Sequence, residues 1–251
     1  MAARGRSDDG GGEAQPAPAV RLLGGRLSPF TLRARLALAL RGVEHELVEE
    51  QLHPHKSDRL LAANPVYKKI PVLLLPDGRA ICESAVIVQY VDEAWPGGAD
   101  GVGILPEDPY ERAMHRFWTV YVDDKFWPAL DAISLAVTQE ARARATAEVL
   151  AALKLLEEAF GARSNGGAFF SGHDASPGLF DIALGCFLPA LWACKQLNGL
   201  KLLDVATTPL LCRWSERFAA TAAAKAVLPE TEEVVAFTRF LQATFCVAGS
   251  K

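Results

Sequence analysis

Val20-Arg21-Leu22-Leu23-Gly24-Gly25-Arg26-Leu27-Ser28-Pro29-Phe30 joins a short apolar run to a longer one, and this junction decides the fold. Residues 20–23 predict a β-strand, and residues 29–41 predict an α-helix because apolar side chains recur at helical spacing. Serine is a preferred N-cap residue, and proline is tolerated in the first helical turn. We therefore expect the Ser28 hydroxyl at the positive end of a helix, beside unpaired N–H groups that suit an anion such as a thiolate. A purely structural cap is the commoner role of an arbitrary Ser-Pro pair.

The pattern after this junction alternates strand and helix up to about Trp95. Strands are predicted over residues 44–49, 71–75 and 79–82, and helices over residues 58–63 and from Ser84 onward. Pro76-Asp77-Gly78 supplies the turn of a hairpin between the last two strands. A βαβ unit followed by a hairpin predicts a mixed sheet covered by helices.

The rest of the chain carries helical periodicity only. Helices are predicted over residues 111–136, 141–160, 181–195, 209–220 and 232–246. Residues 97–108 are rich in glycine and read as a linker, whereas residues 1–18 have the composition of a disordered tail. We therefore expect an α/β domain over residues 19–96 and an all-α domain over residues 109–251.

Composition argues against several classes of function. The chain has 251 residues, 50% of them hydrophobic, and a formal net charge of −4, which disfavours a nucleic-acid binder. We identify no apolar run long enough to cross a bilayer and no basic cluster typical of a membrane patch. The five cysteines form no Cys-x-x-Cys pair, which predicts free thiols in a reducing cytoplasm. His53-Pro54-His55 lacks a third ligand, so no metal is expected.

Three further segments of the first domain carry polar chemistry. Lys56 can complement a carboxylate, Glu83 an ammonium group, and a helix capped by Ser84 a second carboxylate. A cis Ile70-Pro71 bond would turn the Ile70 backbone outward to pair with an extended peptide, whereas a trans bond would simply open a strand. The sequence leaves both open. With an anionic sulfur at Ser28, these groups describe a ligand such as glutathione, which has two carboxylates, an ammonium group, a peptide backbone and a thiol.

The same segments carry a resemblance to a known family. They are Ser28-Pro29-Phe30, His55-Lys56-Ser57, the run from Asn64 to Leu73, and Cys82-Glu83-Ser84, with softer matches in the helices at Arg116-Phe117-Trp118 and Asp181-Ile182-Ala183-Leu184. The chain resembles the plant glutathione S-transferases of the tau class. This resemblance implies a thioredoxin-like N-terminal domain with a mixed sheet, an all-α C-terminal helical domain, and a homodimer.

The resemblance also implies residue roles. Ser28 matches the catalytic serine, and Lys56, Ile70, Glu83 and Ser84 match residues that bind glutathione together with Ser28, with Pro71 as a cis-proline. The hydrophobic substrate is expected to contact Phe30, Trp127, Phe237 and Leu241. No His or Asp pattern near Ser28 suggests a Ser-His-Asp triad, so the serine is expected to donate a hydrogen bond to the thiolate.

The implied activity is conjugation of glutathione to hydrophobic electrophiles, as in detoxification, with reduction of organic hydroperoxides as a side activity. A thiol-disulfide oxidoreductase of the same fold would need a cysteine near the helix start, but the first cysteine is Cys82. A weakly catalytic carrier of hydrophobic ligands remains an alternative, because an intact glutathione site serves both functions.

Overall fold

The computed structural model describes residues 20–52, 55–97 and 101–245. The predicted tail at residues 1–18 lies outside the described residues. The same holds for Cys246, and for His53 of the His53-Pro54-His55 metal candidate. The N-terminal part contains four strands and three helices among its described residues. Their bounds are β1 Arg21–Gly24, α1 Pro29–Leu40, β2 Glu46–Glu49, α2 Asp58–Ala63, β3 Val72–Leu74, β4 Ala80–Cys82 and α3 Ser84–Ala94.

The four strands form one mixed sheet in the order β2-β1-β3-β4. Strand β1 pairs in parallel with β2, with Leu22 opposite Leu47, and antiparallel with β3, with Leu22 opposite Leu73. Strands β3 and β4 pair antiparallel as a hairpin. This arrangement confirms the predicted mixed sheet, and the matched register places the apolar side chains of β1 and β3 in the core.

The C-terminal part is helical throughout its regular elements. Their bounds are α4 Pro109–Tyr121, a π-helical turn Val122–Phe126, α5 Trp127–Leu135, α6 Gln139–Arg163, α7 Leu179–Gly185, α8 Leu188–Asn198, α9 Pro209–Ala220, α10 Ala222–Val227 and α11 Thr231–Phe245. The predicted fold class, a thioredoxin-like α/β part followed by an all-α part, is confirmed.

Three details of the helical part differ from the prediction. The single helix predicted over residues 111–136 is divided into α4, a π-helical turn and α5. The single helix predicted over residues 181–195 is two helices, because Pro189 lies in the first turn of α8 and cannot continue the hydrogen bonds of α7. The short helix α10 was not predicted. It begins where the Thr221 hydroxyl accepts a hydrogen bond from the Ala224 amide, and its six residues are too few for a periodic signal.

Asp181 in α7 is the buried polar centre of the helical core. The carboxylate accepts hydrogen bonds from the amides of Phe170 and Gly178, both 2.9 Å, and from the Trp214 indole N–H at 2.8 Å. Burial raises the pKa of Asp181 to about 6, against the effect of these donors. The Asp181 side chain therefore joins the turn before α7 and the start of α7 to Trp214 of α9, which is 33 residues away.

The run Leu179–Asn198 is long and apolar enough to cross a membrane, with a mean hydropathy of 1.2. The expectation that no run reaches this length is therefore wrong. However, 78% of its most apolar window is buried inside the fold, where α7 and α8 pack against other helices. Burial of this extent is typical of a core helix pair.

Candidate functional site

The strand register brings the predicted polar segments to one edge of the sheet. Strands β1 and β2 are parallel and end together, with Gly24 opposite Glu49. Strand β3 begins at this edge because it runs antiparallel to β1, and β4 ends there because it runs antiparallel to β3. The segments that carry Ser28, Lys56, Ile70, Glu83 and Ser84 all follow or precede a strand at this edge.

Ser28 occupies the N-cap of α1, as expected. Its backbone is extended, Pro29 starts the helix, and its carbonyl accepts the first helical hydrogen bond from the Leu32 amide at 2.9 Å. Among the described residues, the half-buried Ser28 hydroxyl makes no capping hydrogen bond. The hydroxyl therefore lies beside the positive end of a 12-residue helix without serving that helix.

The Ile70-Pro71 peptide bond is cis, which settles the alternative that the sequence left open. Pro71 immediately precedes β3, so it costs the sheet no hydrogen-bond donor inside the strand. Gly25 lies between this turn and Ser28, since a Cβ built there would be 3.5 Å from Ile70 Cδ1 and 3.8 Å from Ser28 Cβ. The turn and the serine therefore face each other across one glycine.

The N-cap of α3 lies one residue earlier than predicted. Glu83, and not Ser84, is the N-cap residue. Its backbone φ is 69°, a conformation that residues other than glycine rarely adopt. Its carboxylate is exposed, whereas Ser84 is the first helical residue and is buried. The prediction of Ser84 as the cap is wrong because the positive φ turns the chain one residue earlier.

Lys56 lies on an exposed loop at the same edge. Its ammonium group donates to the Lys68 carbonyl at 2.7 Å, which links the loop to the segment before the cis bond. Glu50, which the sequence reasoning did not single out, has a buried carboxylate that pairs with Arg59 at 2.8 Å and accepts from the Ser57 hydroxyl. These bonds hold the Lys56 loop against the end of β2.

Arg33 is the main residue that sequence reasoning missed. Its side chain in α1 is 1% exposed, and its guanidinium donates to both carboxylate oxygens of Asp123, at 2.8 and 2.6 Å. It also donates to Ser84 Oγ and to the Ala183 carbonyl, both at 3.1 Å. Two arginines, Arg33 and Arg35, interrupt the apolar sequence of α1, and the sequence does not show which of them is buried. This one side chain connects the start of α3 to the helical part.

An aromatic cluster adjoins the Arg33 guanidinium, which lies 5.3 Å from the Phe30 ring centroid. The Phe30 ring makes edge-to-face contacts with Trp127 at 5.9 Å and with Phe187 at 5.8 Å, and the latter two rings stack at 5.0 Å. The structure thus brings together two of the predicted pocket residues. A groove of about 470 Å³ begins at Trp127 and contains Asp131, a half-buried carboxyl whose pKa is raised by burial.

Phe237 and Leu241 lie on α11 and are both partly exposed. This helix contacts the loop before Ser28, because Val234 and Val235 pack with Leu27 and Arg26 forms a 2.8 Å ion pair with Glu233. Further along α11, the Gln242 amide donates to the Ser134 carbonyl of α5 at 2.6 Å. Helix α11 therefore extends from the serine loop to the helix that carries Trp127.

The part of the chain that the structure describes contains no group of three or more His, Cys, Asp or Glu side chains able to hold a metal ion. The residues of the sheet edge instead offer the Ser28 hydroxyl, the Ile70 backbone at the cis bond, the Glu83 carboxylate and the Lys56 ammonium group. This donor set is suited to a small peptide.

Comparison with known proteins agrees with this geometry. The family model for the glutathione S-transferase N-terminal domain matches residues 27–94. A probable glutathione S-transferase of Zea mays, BZ2, is 70% identical over 226 residues, which cover 89% of this chain and 96% of the relative. The crystal structure of a tau-class enzyme from mango, Mangifera indica, has a TM-score of 0.81 and 45% identity over 89% of this chain and 98% of its own. A rice enzyme in complex with glutathione also has a TM-score of 0.81, with 34% identity over 92% of this chain and 99% of its own. The chain belongs to the tau class of the plant glutathione S-transferases.

Proposed function

We propose that this glutathione transferase binds glutathione at the sheet edge and that Ser28 donates a hydrogen bond to its sulfur. The supporting observation is the half-buried Ser28 hydroxyl, which lies at the N-terminus of α1 without a capping bond of its own among the described residues. A free thiol has a pKa of about 8.5, and lowering it by about two units requires roughly 2.7 kcal/mol. One hydrogen bond to a charged acceptor contributes about 1.5–3 kcal/mol, and a helix N-terminus about 0.3–1 kcal/mol. Together these two contributions make the thiolate the main species at neutral pH.

The remaining peptide groups of glutathione have partners at the same edge. The Ile70 backbone, placed by the cis bond, pairs with the peptide backbone of the ligand. Glu83 binds the ammonium group, the start of α3 at Ser84 binds the adjacent carboxylate, and Lys56 binds the second carboxylate. The Arg33 bond to Ser84 Oγ supports this assignment, because it holds the hydroxyl in place at the start of α3.

The hydrophobic electrophile binds next to the sulfur, between Phe30 and the helical part. Phe30 and Trp127 form one wall, and Phe237 and Leu241 of α11 form the other. Support comes from the edge-to-face contact of Phe30 with Trp127 and from the packing of α11 on the loop before Ser28. Asp131 restricts which ligands fit the groove, because a purely apolar ligand would desolvate this half-buried carboxyl without offering it a hydrogen bond.

We further propose a detoxifying role in the cytoplasm as a homodimer. The dimer is supported by exposed apolar side chains on both parts of the chain, including Val66 at 79%, Tyr67 at 58% and Phe117 at 56% exposure. The proposed domains are residues 19–96 for glutathione and residues 109–251 for the electrophile. Residues 97–108 connect the two domains. Asp92 of α3 holds this connection by accepting hydrogen bonds from the amides of Ile104 and Leu105, at 2.8 and 2.9 Å.

The decisive experiment compares Ser28→Ala with Ser28→Thr, which retains a hydroxyl. Ser28→Ala should lower kcat for conjugation of an aryl halide by about ten- to a thousand-fold, because one preorganised donor to the developing charge is lost. The KM for glutathione should change little, and the pKa in the pH–rate profile should rise. Ser28→Thr should recover most of the activity. Unchanged turnover and an unchanged pH profile in Ser28→Ala would remove Ser28 from the mechanism.

A further inference from the structure

The groove that begins at Trp127 has one charged side chain among its described lining residues, and this is Asp131 of α5. Trp127, Asp131 and Leu135 all line the groove and recur four residues apart. They therefore lie on one face of the helix, each about 6 Å along the axis from the next. The Asp131 carboxylate is thus placed between an aromatic and an aliphatic side chain.

This carboxylate has no partner within the described residues. It makes no hydrogen bond and no ion pair there, and neither of its oxygens is a fully buried atom, so both are accessible from the groove. Burial of the residue is the single cause that raises the pKa of Asp131, which means that no neighbouring cation offsets its charge. A carboxylate that is half removed from water is stabilised when a bound molecule supplies a positive charge.

Two arginines on the neighbouring helices do not neutralise Asp131. Arg142 of α6 donates to the Ala136 carbonyl at 3.1 Å, and this carbonyl lies about 7 Å farther along the axis of α5. Arg239 of α11 is exposed and forms no ion pair among the described residues. The groove therefore has an uncompensated negative charge at Asp131, which disfavours an anionic substituent there.

Trp127 is a second and independent feature that favours a cation in the groove. Its ring lines the groove one helical turn before Asp131, and it stacks with Phe187 at 5.0 Å. The face of an aromatic ring attracts a cation, that of tryptophan most strongly, and quaternary ammonium groups are recognised in this way. An indole ring and a free carboxylate one turn apart together suit a positively charged group.

We propose that Asp131 makes this enzyme selective for electrophiles that carry a positive charge, with the cationic group of the substrate bound between the Asp131 carboxylate and the Trp127 ring. This inference rests on the electrophile groove proposed above. Trp127 contacts Phe30, two residues after Ser28, whereas Asp131 lies one turn farther along α5. The bound cation is therefore a recognition group and takes no part in the reaction at the sulfur.

The test compares two esters of 4-chloro-3,5-dinitrobenzoic acid that have the same shape. The choline ester ends in a trimethylammonium group, and the 3,3-dimethylbutyl ester ends in a neutral tert-butyl group. In both esters the glutathione sulfur forms a bond to the ring carbon and chloride leaves, so the reaction is the same. The ratio of kcat/KM for the choline ester to that for the neutral ester should be about tenfold higher in the full-length wild type than in Asp131→Asn, as expected for one contact to a charged group.

Two further measurements separate the charge of Asp131 from its shape. Asp131→Glu keeps the carboxylate and should retain most of the preference. Added salt should reduce the ratio in the wild type but not in Asp131→Asn, because salt screens an interaction between partly exposed charges. Asp124→Asn is the matched control, since its exposed carboxylate does not line the groove, and it should keep the wild-type ratio.

A binding measurement keeps this inference distinct from the proposed function. Failure of the wild type to conjugate either ester would remove the proposed function but not decide the preference for a cation. Benzoylcholine and 3,3-dimethylbutyl benzoate carry no leaving group on the ring, and calorimetry with them tests that preference alone. Benzoylcholine should bind about tenfold more weakly to Asp131→Asn than to the wild type, with little change for the neutral ester. Equal ratios in the wild type and Asp131→Asn by both methods, or the same decrease in Asp124→Asn, would overturn the proposal.

Discussion

Asp123→Ala should be among the most destabilising single changes in the π-helical turn. Arg33 is 1% exposed, and both oxygens of Asp123 neutralise it. Removing one partner of a buried ion pair typically costs about 3–5 kcal/mol, because the other charge stays buried without compensation. The Asp123 side chain is 29% exposed, so water can replace part of the lost interaction and we expect the lower end, about 3 kcal/mol. For a chain of this size, that loss lowers Tm by about 6–12 °C.

The measurement is urea unfolding followed by tryptophan fluorescence, together with thermal melting. Asp124→Ala is the matched control, since its carboxylate is exposed and its loss should change the free energy of unfolding by less than about 0.5 kcal/mol. The double variant Arg33→Met/Asp123→Ala should be more stable than Asp123→Ala alone, because an apolar replacement of both partners leaves no buried charge. Near-equal stability of the Asp123→Ala and Asp124→Ala variants, or a double variant as unstable as the sum of the singles, would refute this reasoning.

Three further outcomes follow from the packing and the charges. Asp131→Ala should lower the KM for an apolar aryl halide by about three- to tenfold, because a half-buried carboxyl no longer has to be desolvated when the substrate binds. An unchanged KM would show that the substrate does not bind in this groove. Gly185→Ala should destabilise the protein by about 1–3 kcal/mol in urea unfolding, because the new Cβ would lie 2.2 Å from the buried Phe218 ring. Gly161→Ala is the control: its Cβ would lie 3.3 Å from the nearest side chain, so this change should be neutral or stabilising by up to about 1 kcal/mol. The pKa of Asp181 in the folded protein is raised to about 6, so the stability that this group contributes is complete at low pH and is lost as the pH rises from about 4 to about 6. The difference in Tm between the wild type and Asp181→Asn should therefore shrink over that interval. A difference that grows would contradict the raised pKa.

Much of the fold follows from features a few residues long. Alternating apolar runs, the Pro76-Asp77-Gly78 turn and the Ser28-Pro29 helix start predicted every strand of the mixed sheet to within about two residues. The break between α7 and α8 was missed because residues 182–194 are apolar throughout, so their pattern shows no boundary between the two helices. The π-helical turn at Val122–Phe126 was missed because it continues the helical periodicity, although Pro128 in the first turn of α5 signalled a break in the helix predicted over residues 111–136.

The sequence named candidate residues for the site, and the structure shows how they are connected. The order of Lys56, Ile70, Glu83 and Ser84 along the chain indicated a peptide ligand through the chemistry of each residue type. The choice of the cis form at Ile70-Pro71 could not be made from the residues, because both forms are compatible with a strand start. The positive φ of Glu83, which moves the cap of α3 by one residue, was equally invisible.

Long-range contacts account for what remained hidden. Arg33 and Asp123 are 90 residues apart, and no local pattern in either segment signals the other. The same holds for α11, which meets the loop before Ser28 more than 200 residues away through Arg26 and Glu233. Turn chemistry, capping and periodicity act between neighbours along the chain, so the residues alone determined the strands and most of the helices. Which residue pairs with the buried Arg33, and which helix packs on the loop before Ser28, depends on contacts between distant segments, and these contacts form only when the chain folds.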